Sequence, residues 1–257
     1  MHTTQPKHTT SGWQQAFALA THVPQGSNNL NREELATLYA ILQAQGQHTT
    51  LFYDGVVTNG AQFASMMRED NCSFYTMGVL PDQAATVLRG QGEQAPDTDW
   101  QQLPLVRGRV PLGFWWLNGF MGSACCIHFC IFRYAVPLAP VLGRFVVRAM
   151  LLARPGVPVP LDVCWGTPHA VQDYRHTQEA QYGPGGYCLN ALYGLTPAPF
   201  RHALHFVYDL GFQKKAMLPY TASIVRPQEG RGQVAHEPTV RPTSLVLSCL
   251  TREGLVG

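Results

Sequence analysis

Within six residues the chain sets Cys125, Cys126, His128 and Cys130, residue types that bind zinc or serve as nucleophile and base. On a strand side chains alternate, so Cys126, His128 and Cys130 share one face and Cys125 points to the other. At about 3.3 Å per residue, Cys126 and Cys130 lie roughly 13 Å apart. One zinc ion, held about 2.3 Å from each sulfur, cannot span that gap. The group alone is no metal site, no metal is expected, and buried cysteines of this kind pack as small apolar groups. His128 has two readings that one sequence leaves open. Imidazole ordinarily titrates near neutral pH and can accept a proton from an attacking group, or it can sit in a core, hydrogen-bonded to a neighbouring strand. Other chemistries lack their frames: there is no Walker-type phosphate loop and no glycine-framed serine elbow.

The elements that must position these residues follow from hydrophobic period. Leu30, Leu35, Leu38, Ile41 and Leu42 recur at helical spacing in Asn29–Gln45, and Asn31 with Glu34 forms a capping box. Leu51–Tyr53 reads as short and extended, and Gly60–Arg68 as a helix striped by Phe63, Met66 and Met67. Ser73–Leu80 is a strand, Pro81-Asp82 opens a helix through Leu88, and Gly90–Asp99 is a polar loop. Leu103–Val110 begins a strand pair continuing through Leu117 and Ser123–Phe132, with its turn at Asn118-Gly119. Phe114, Trp115, Trp116 and Phe120 flank that turn as core on one face and a packing surface on the other.

Val141–Leu152 then switches to helical period, with Arg144 and Arg148 on the polar face. Residues 153–186 read as an insertion with a short strand at Leu161–Trp165 and little other periodicity. Leu189–Leu195 suits a buried strand, and Thr196-Pro197 an N-cap and first helical proline. Phe200, Ala203, Leu204, Val207 and Leu210 line one face of the helix, and Gly211 stands at its left-handed C-cap. Three segments result: an N-terminal arm at 1–28, a main domain at 29–226 carrying the insertion, and a linker with an edge strand at 227–257.

Composition narrows the class. Of 257 residues only 13% are charged, and the formal net charge is +2. The basic residues are scattered, which leaves no electrostatic footprint for nucleic acid, and a surface so sparsely charged suits self-association. Seven cysteines without framework spacing, and no charged leader before an apolar run, point to reduced thiols and a cytoplasmic setting. Leu112–Phe132 is long enough to span a bilayer, but Gly113, Asn118, Gly119 and Gly122 interrupt it, so two core strands joined by a turn are expected and no membrane contact.

The order of strand, capped helix, Leu210-Gly211-Phe212 and strand resembles the closing unit of the GNAT acyltransferase superfamily, where a fifth strand precedes a helix ending in Leu-Gly-Phe. Ala203 falls where that helix usually carries alanine, and Val141–Leu152 supplies a second strand-to-helix step in matching order. The resemblance implies an α/β (α+β) fold: a mixed, mainly antiparallel sheet flanked by helices, with two neighbouring strand-to-helix crossings splayed to leave a slot. It implies acyl transfer from acetyl-CoA or another acyl-CoA as co-substrate, or from a carrier-protein thioester, to an amine on a small molecule or a protein. His128 is then the base where donor and acceptor meet, and Ile131, Phe132, Arg133, Val141, Gly143 and Arg144 form the donor loop.

Two departures from the family pattern stand out. The loop motif Arg/Gln-x-x-Gly-x-Gly/Ala starts at Arg133, but Val136 occupies the first glycine position, and Pro137 and Pro140 lack N–H groups. The family's acid, a tyrosine four residues before the Gly-Phe glycine, falls on Val207; the candidates in its place are Tyr208, next door but about 100° round the helix and so facing differently, and Tyr193 and Tyr187, on or before the preceding strand. These departures define an alternative, a non-catalytic GNAT-like scaffold working through protein contacts, such as a phage-type structural or assembly protein.

Overall fold

Seven strands form one sheet in the order β1-β2-β3-β4-β5-β7-β6. They are β1 (Phe17–His22), β2 (Ser73–Val79), β3 (Val110–Met121), β4 (Ala124–Ile131), β5 (Ala191–Pro197), β6 (Gln213–Arg226) and β7 (Thr239–Thr251). Every neighbouring pair is antiparallel except β4 and β5. The computed structural model describes residues 17–89, 102–226 and 239–256. The expected arm at Met1–Ser11 and the loop Gly90–Asp99 lie outside the described residues, as does the expected linker Pro227–Pro242 up to residue 238; its last four residues are strand, the start of β7.

Helices α1 (Arg32–Ala44), α2 (His48–Leu51) and α3 (Gly60–Met66) serve one face of the sheet. Asn31 and Glu34 exchange side-chain and backbone hydrogen bonds at the start of α1, whose Leu35, Leu38, Tyr39, Ile41 and Leu42 are buried. Each such side chain contributes about 1.5–3 kcal/mol by leaving water. Phe63 of α3 packs on Phe74 and Phe114, and Phe52 stacks on Trp116, which fixes the even-numbered residues of β3 on this face. α4 (Pro81–Arg89) follows β2. On the opposite face lie α5 (Ala139–Leu151), α6 (Leu161–Trp165) and α8 (Arg201–Asp209). There Phe206 meets Phe129, and Trp165 bridges Phe145 and Phe17.

Several elements differ from the sequence reading. The expected arm contains β1, which pairs along its whole length with β2. The expected edge strand, β7, is interior, lying between β5 and β6. His48–Leu51 is helical where an extended run was expected to begin at Leu51. Leu161–Trp165 is helical, and the insertion holds a fifteen-residue helix, α7 (Pro168–Tyr182), capped by the Thr167 side chain and ended by Gly183 at φ 80°. α7 has a polar surface, with only Val171 and Gln178 buried, so hydrophobic period gives no sign of it.

The turn between β3 and β4 falls at Gly122-Ser123, and Asn118-Gly119 lies where the strand register shifts. Thr196 and Pro197 stay in the sheet, paired with Val246 and Leu245, so α8 starts at Arg201. At its other end the expected cap is present. Gly211 has φ 94°, its N–H donates to Tyr208 O, and the Phe212 N–H donates to Val207 O, the paired bonds of a Schellman cap. Leu112–Phe132 is a strand pair, as expected. The helical stretch Arg133–Leu151 is long and apolar enough to cross a membrane, but its Leu142, Phe145, Val146, Val147 and Leu151 are buried in the core.

Candidate active site between the fourth and fifth strands

β4 and β5 run parallel and share three register pairs, Ala124 with Ala191, Cys125 with Leu192 and Cys126 with Tyr193. Both strands feed helices on the same face, α5 and α8. Packed helices need about 8–10 Å between axes, while paired strands sit about 4.8 Å apart. Two adjacent crossings therefore pull their strands apart as they approach the helices. Gly143 of α5 sits against α8 so closely that a Cβ there would lie 2.7–2.8 Å from Leu210 and Phe206 side-chain atoms. The divergence opens a cleft of about 540 Å³, lined by Ile127–Ile131 on one side and Gly194–Pro197 on the other. Among its lining residues are Arg133, His128 and His202 but no carboxylate.

His128 lines this cleft. Its ring stacks on Trp116 with centroids 4.4 Å apart and planes within 4°, and its Nε2 lies 3.1 Å from Asn118 Oδ1. An amide oxygen only accepts, so Nε2 carries the hydrogen and Nδ1 keeps the basic lone pair. Among the described residues Nδ1 has no hydrogen-bond partner, and it is not among the buried unpartnered atoms. Loss of hydration pulls the His128 pKa down to about 4. The sequence suggested titration near neutral pH; the enclosed ring is instead neutral throughout that range.

The other site residues named from sequence scatter. Tyr193 pairs with Cys126, and its hydroxyl donates to Gly119 O at 2.6 Å, bracing the irregular end of β3 outside the cleft lining. Tyr208 is 37% exposed on α8 and also lies outside the lining, while its buried neighbour Val207 faces the cleft. One step along a helix turns a side chain about 100°, which separates these two. Tyr187 is buried away from the cleft between Arg154 and Arg252. Cys126 and Cys130 are buried; loss of hydration pushes the Cys126 thiol up to about 12 and the Cys130 thiol higher. Among the described residues no group of three or more His, Cys, Asp or Glu is placed to hold a metal ion.

Sequence reasoning missed Tyr53, Gln47 and His202 in the lining and Asn118 as the partner of His128. Tyr53 is half-buried, with its phenol pKa raised by desolvation, then by Asp54 and Cys126. It follows a helix where a strand was expected, so its position gave no signal. Asn118 was readable only as a turn residue.

At the far end of the cleft the proposed donor loop is a 3-10 helix, Arg133–Leu138. Ile131 and Arg133 line the cleft, but Phe132, Val141, Gly143 and Arg144 do not. Phe132 is fully buried, Arg144 is exposed on α5, and Gly143 serves helix packing in place of a phosphate cradle. The backbone here is already engaged. The Arg133 N–H donates to Gln45 Oε1 at 2.7 Å, the Ala135 N–H to Phe132 O, and the Ala139 N–H to Val136 O. Ile131 O accepts from Gln47 Nε2 at 3.0 Å. Pro137 and Pro140 have no N–H to offer. A diphosphate held by free backbone N–H groups does not fit this segment. One buried acceptor remains open beside it: Gln47 Oε1 has no hydrogen-bond partner.

No protein-family model matches the chain, and no curated protein matches it. Among solved structures it is similar to spermidine N-acetyltransferase from Vibrio cholerae in complex with CoA and spermine, at 7% identity and a TM-score of 0.49, over 95% of this chain and 99% of that one. It is also similar to a probable acetyltransferase of the GNAT family from Chromobacterium violaceum, at 10% identity and a TM-score of 0.46, over 94% and 91% of the two chains. The chain's own strand order and its one parallel pair make the mixed, mainly antiparallel α/β sheet flanked by helices.

Proposed function

We propose that the chain transfers an acyl group from a thioester to an amine, with the thioester lying in the cleft between β4 and β5. The observation that carries this reading is the splay itself. Past Cys126 and Tyr193 no ladder joins the two strands, and an extended, amide-bearing arm can hydrogen-bond to strand edges left without a neighbour. The thioester supplies an activated acyl carbon: a C–N bond forms, the C–S bond breaks, and the thiolate leaves.

His128 then receives the nitrogen-bound proton at Nδ1, the atom that Asn118 leaves as acceptor, and passes it to solvent. Because the ring is neutral near pH 7 and a weak base, it acts once the new C–N bond has made that proton acidic. Trp116 holds the ring plane fixed. Val207 offers no phenol, so the departing sulfur takes its proton from solvent; Tyr53 is the phenol present in the same lining.

The scaffold reading draws on this Val207 and on the engaged backbone at Arg133. Thermal unfolding with S-acetylpantetheine and with acetyl-CoA separates the two readings, since a ligand bound only by the folded state raises the melting temperature. A rise with either thioester supports acyl transfer. No rise with either at millimolar concentration favours the scaffold. With an amine acceptor found, H128A is expected to lower turnover at least a hundredfold while leaving thioester binding intact.

A further inference from the structure

The two sides of the cleft differ in character. Toward α1 and α2 its lining carries Gln47, Thr50, Tyr53 and His128, each with a polar group. Toward α5 and α8 it carries Phe129, Ile131, Ala139, Ala203, Phe206 and Val207, none of which has a polar side chain. Side chains alternate along β4, so His128 faces the first side while Phe129 and Ile131 face the second, where Phe129 meets Phe206 with ring centroids 5.5 Å apart. Resting on the acyl-transfer reading, we infer that the acyl group is an alkyl chain well beyond acetyl in length, seated on the apolar side.

The first support is incomplete burial. Phe129, Ile131 and Phe206 pack against the main core, but each stays only half-buried. Large apolar side chains left wet together in one concave place are the mark of a site for an apolar ligand. The second is room. At Gly143 the helices α5 and α8 touch, since a Cβ there would meet Leu210 and Phe206. One turn earlier on each helix stand Ala139 and Ala203, both half-buried and both in the lining, and their methyl groups are the smallest side chains that a non-glycine position allows. The third is what this side cannot hold. An ammonium group there would lose its hydration and meet no carboxylate, because the lining has none. The amine therefore reaches His128 from the polar side, and the apolar side is left to the acyl chain.

Isothermal titration of the full chain with S-acetyl-, S-butanoyl- and S-octanoylpantetheine, each below its micelle concentration, tests this. Burying one methylene is worth up to about fourfold in affinity, so the octanoyl arm is expected to bind at least about thirtyfold tighter than the acetyl arm, with the butanoyl arm between them. Ala203→Phe and, from the other helix, Ala139→Leu each place bulk on the apolar side, and each is expected to cut that ratio at least about tenfold. Circular dichroism shows whether each variant is folded, and the chain-length series on the parent needs neither. A parent that binds the three arms within about threefold of one another, or that prefers the acetyl arm, overturns the inference and leaves acyl transfer standing. An unchanged ratio in a folded variant does the same, because it places the chain elsewhere. Absence of binding by all three arms overturns acyl transfer as well.

Discussion

Asn118 Oδ1 accepts a hydrogen bond from His128 Nε2 at 3.1 Å, across the antiparallel pair of β3 and β4. Trp116 pairs directly with His128 and Asn118 with Cys126, so the two residues are diagonal neighbours on one face. The bond fixes which imidazole nitrogen is basic. In Asn118→Asp a carboxylate would replace the amide oxygen and favour the charged ring. The His128 midpoint is then expected to rise from about 4 by at least one unit, read by NMR titration of the ring protons against an H128N control. An unmoved midpoint would separate the two residues in solution.

The same ring makes stability depend on pH. Its folded pKa, about 4, lies below the ordinary 6.5, so between those values the unfolded chain binds a proton that the folded chain does not. Stability is full above pH 6.5, falls as pH drops toward 4, and stops falling from this source below that. A shift of this size corresponds to about 3 kcal/mol. Denaturant unfolding of the parent and of H128N at pH 7.5 and 4.5 should show the extra acid sensitivity only in the parent.

Gly143→Ala places a methyl group where Leu210 and Phe206 already stand, 2.7–2.8 Å away. Overpacking of this kind costs about 1–3 kcal/mol. The outcome is a lower denaturant midpoint and, because α5 and α8 flank the cleft, weaker thioester binding. A neutral substitution would mean that the two helices slide apart without cost.

Arg154 is buried, with its guanidinium donating to Gly185 O at 2.5 Å and Gly183 O at 2.8 Å and lying 3.9 Å from the centroid of Tyr187. Arg252 lies at the same distance from that ring. Arg154→Ala takes the charged donor from Gly183 O and Gly185 O and the guanidinium from the Tyr187 ring, and is expected to cost about 1–3 kcal/mol. Arg154→Lys restores the charge but not the fork, so it should recover less than half of the loss, measured as unfolding free energy.

Local signals carried much of the fold. The capping box of Asn31 and Glu34 and the Leu210-Gly211-Phe212 cap each close within a few residues, so both are legible in sequence and both are present. The site is not local. Its apex joins Cys126 to Tyr193, its wall joins Gln47 to Ile131, and its rear joins Gly143 to Leu210. None of these pairs has a spacing that a periodic pattern records. Asn118-Gly119 shows how a sound local signal misleads. The pair has the composition of a tight turn, but Gly119 takes φ 56° inside β3, at a register shift, and the Tyr193 hydroxyl stands 2.7 Å from where a Cβ would be. Gly122, three residues on, makes the turn. The opposite facing of Val207 and Tyr208 was legible, since it follows from helical period alone.

Three ladder rungs stitch the panel of β1 to β4 to the panel of β5, β7 and β6 within the sheet. With so short a seam, amide exchange is expected to differ between the two panels, which α5 and the shared core tie together. A molecule seated in the cleft would touch both panels and act as a fourth rung. Its arrival would slow exchange on both sides of the seam, in β3 and β7 as well as in the β4 and β5 residues that line the cleft.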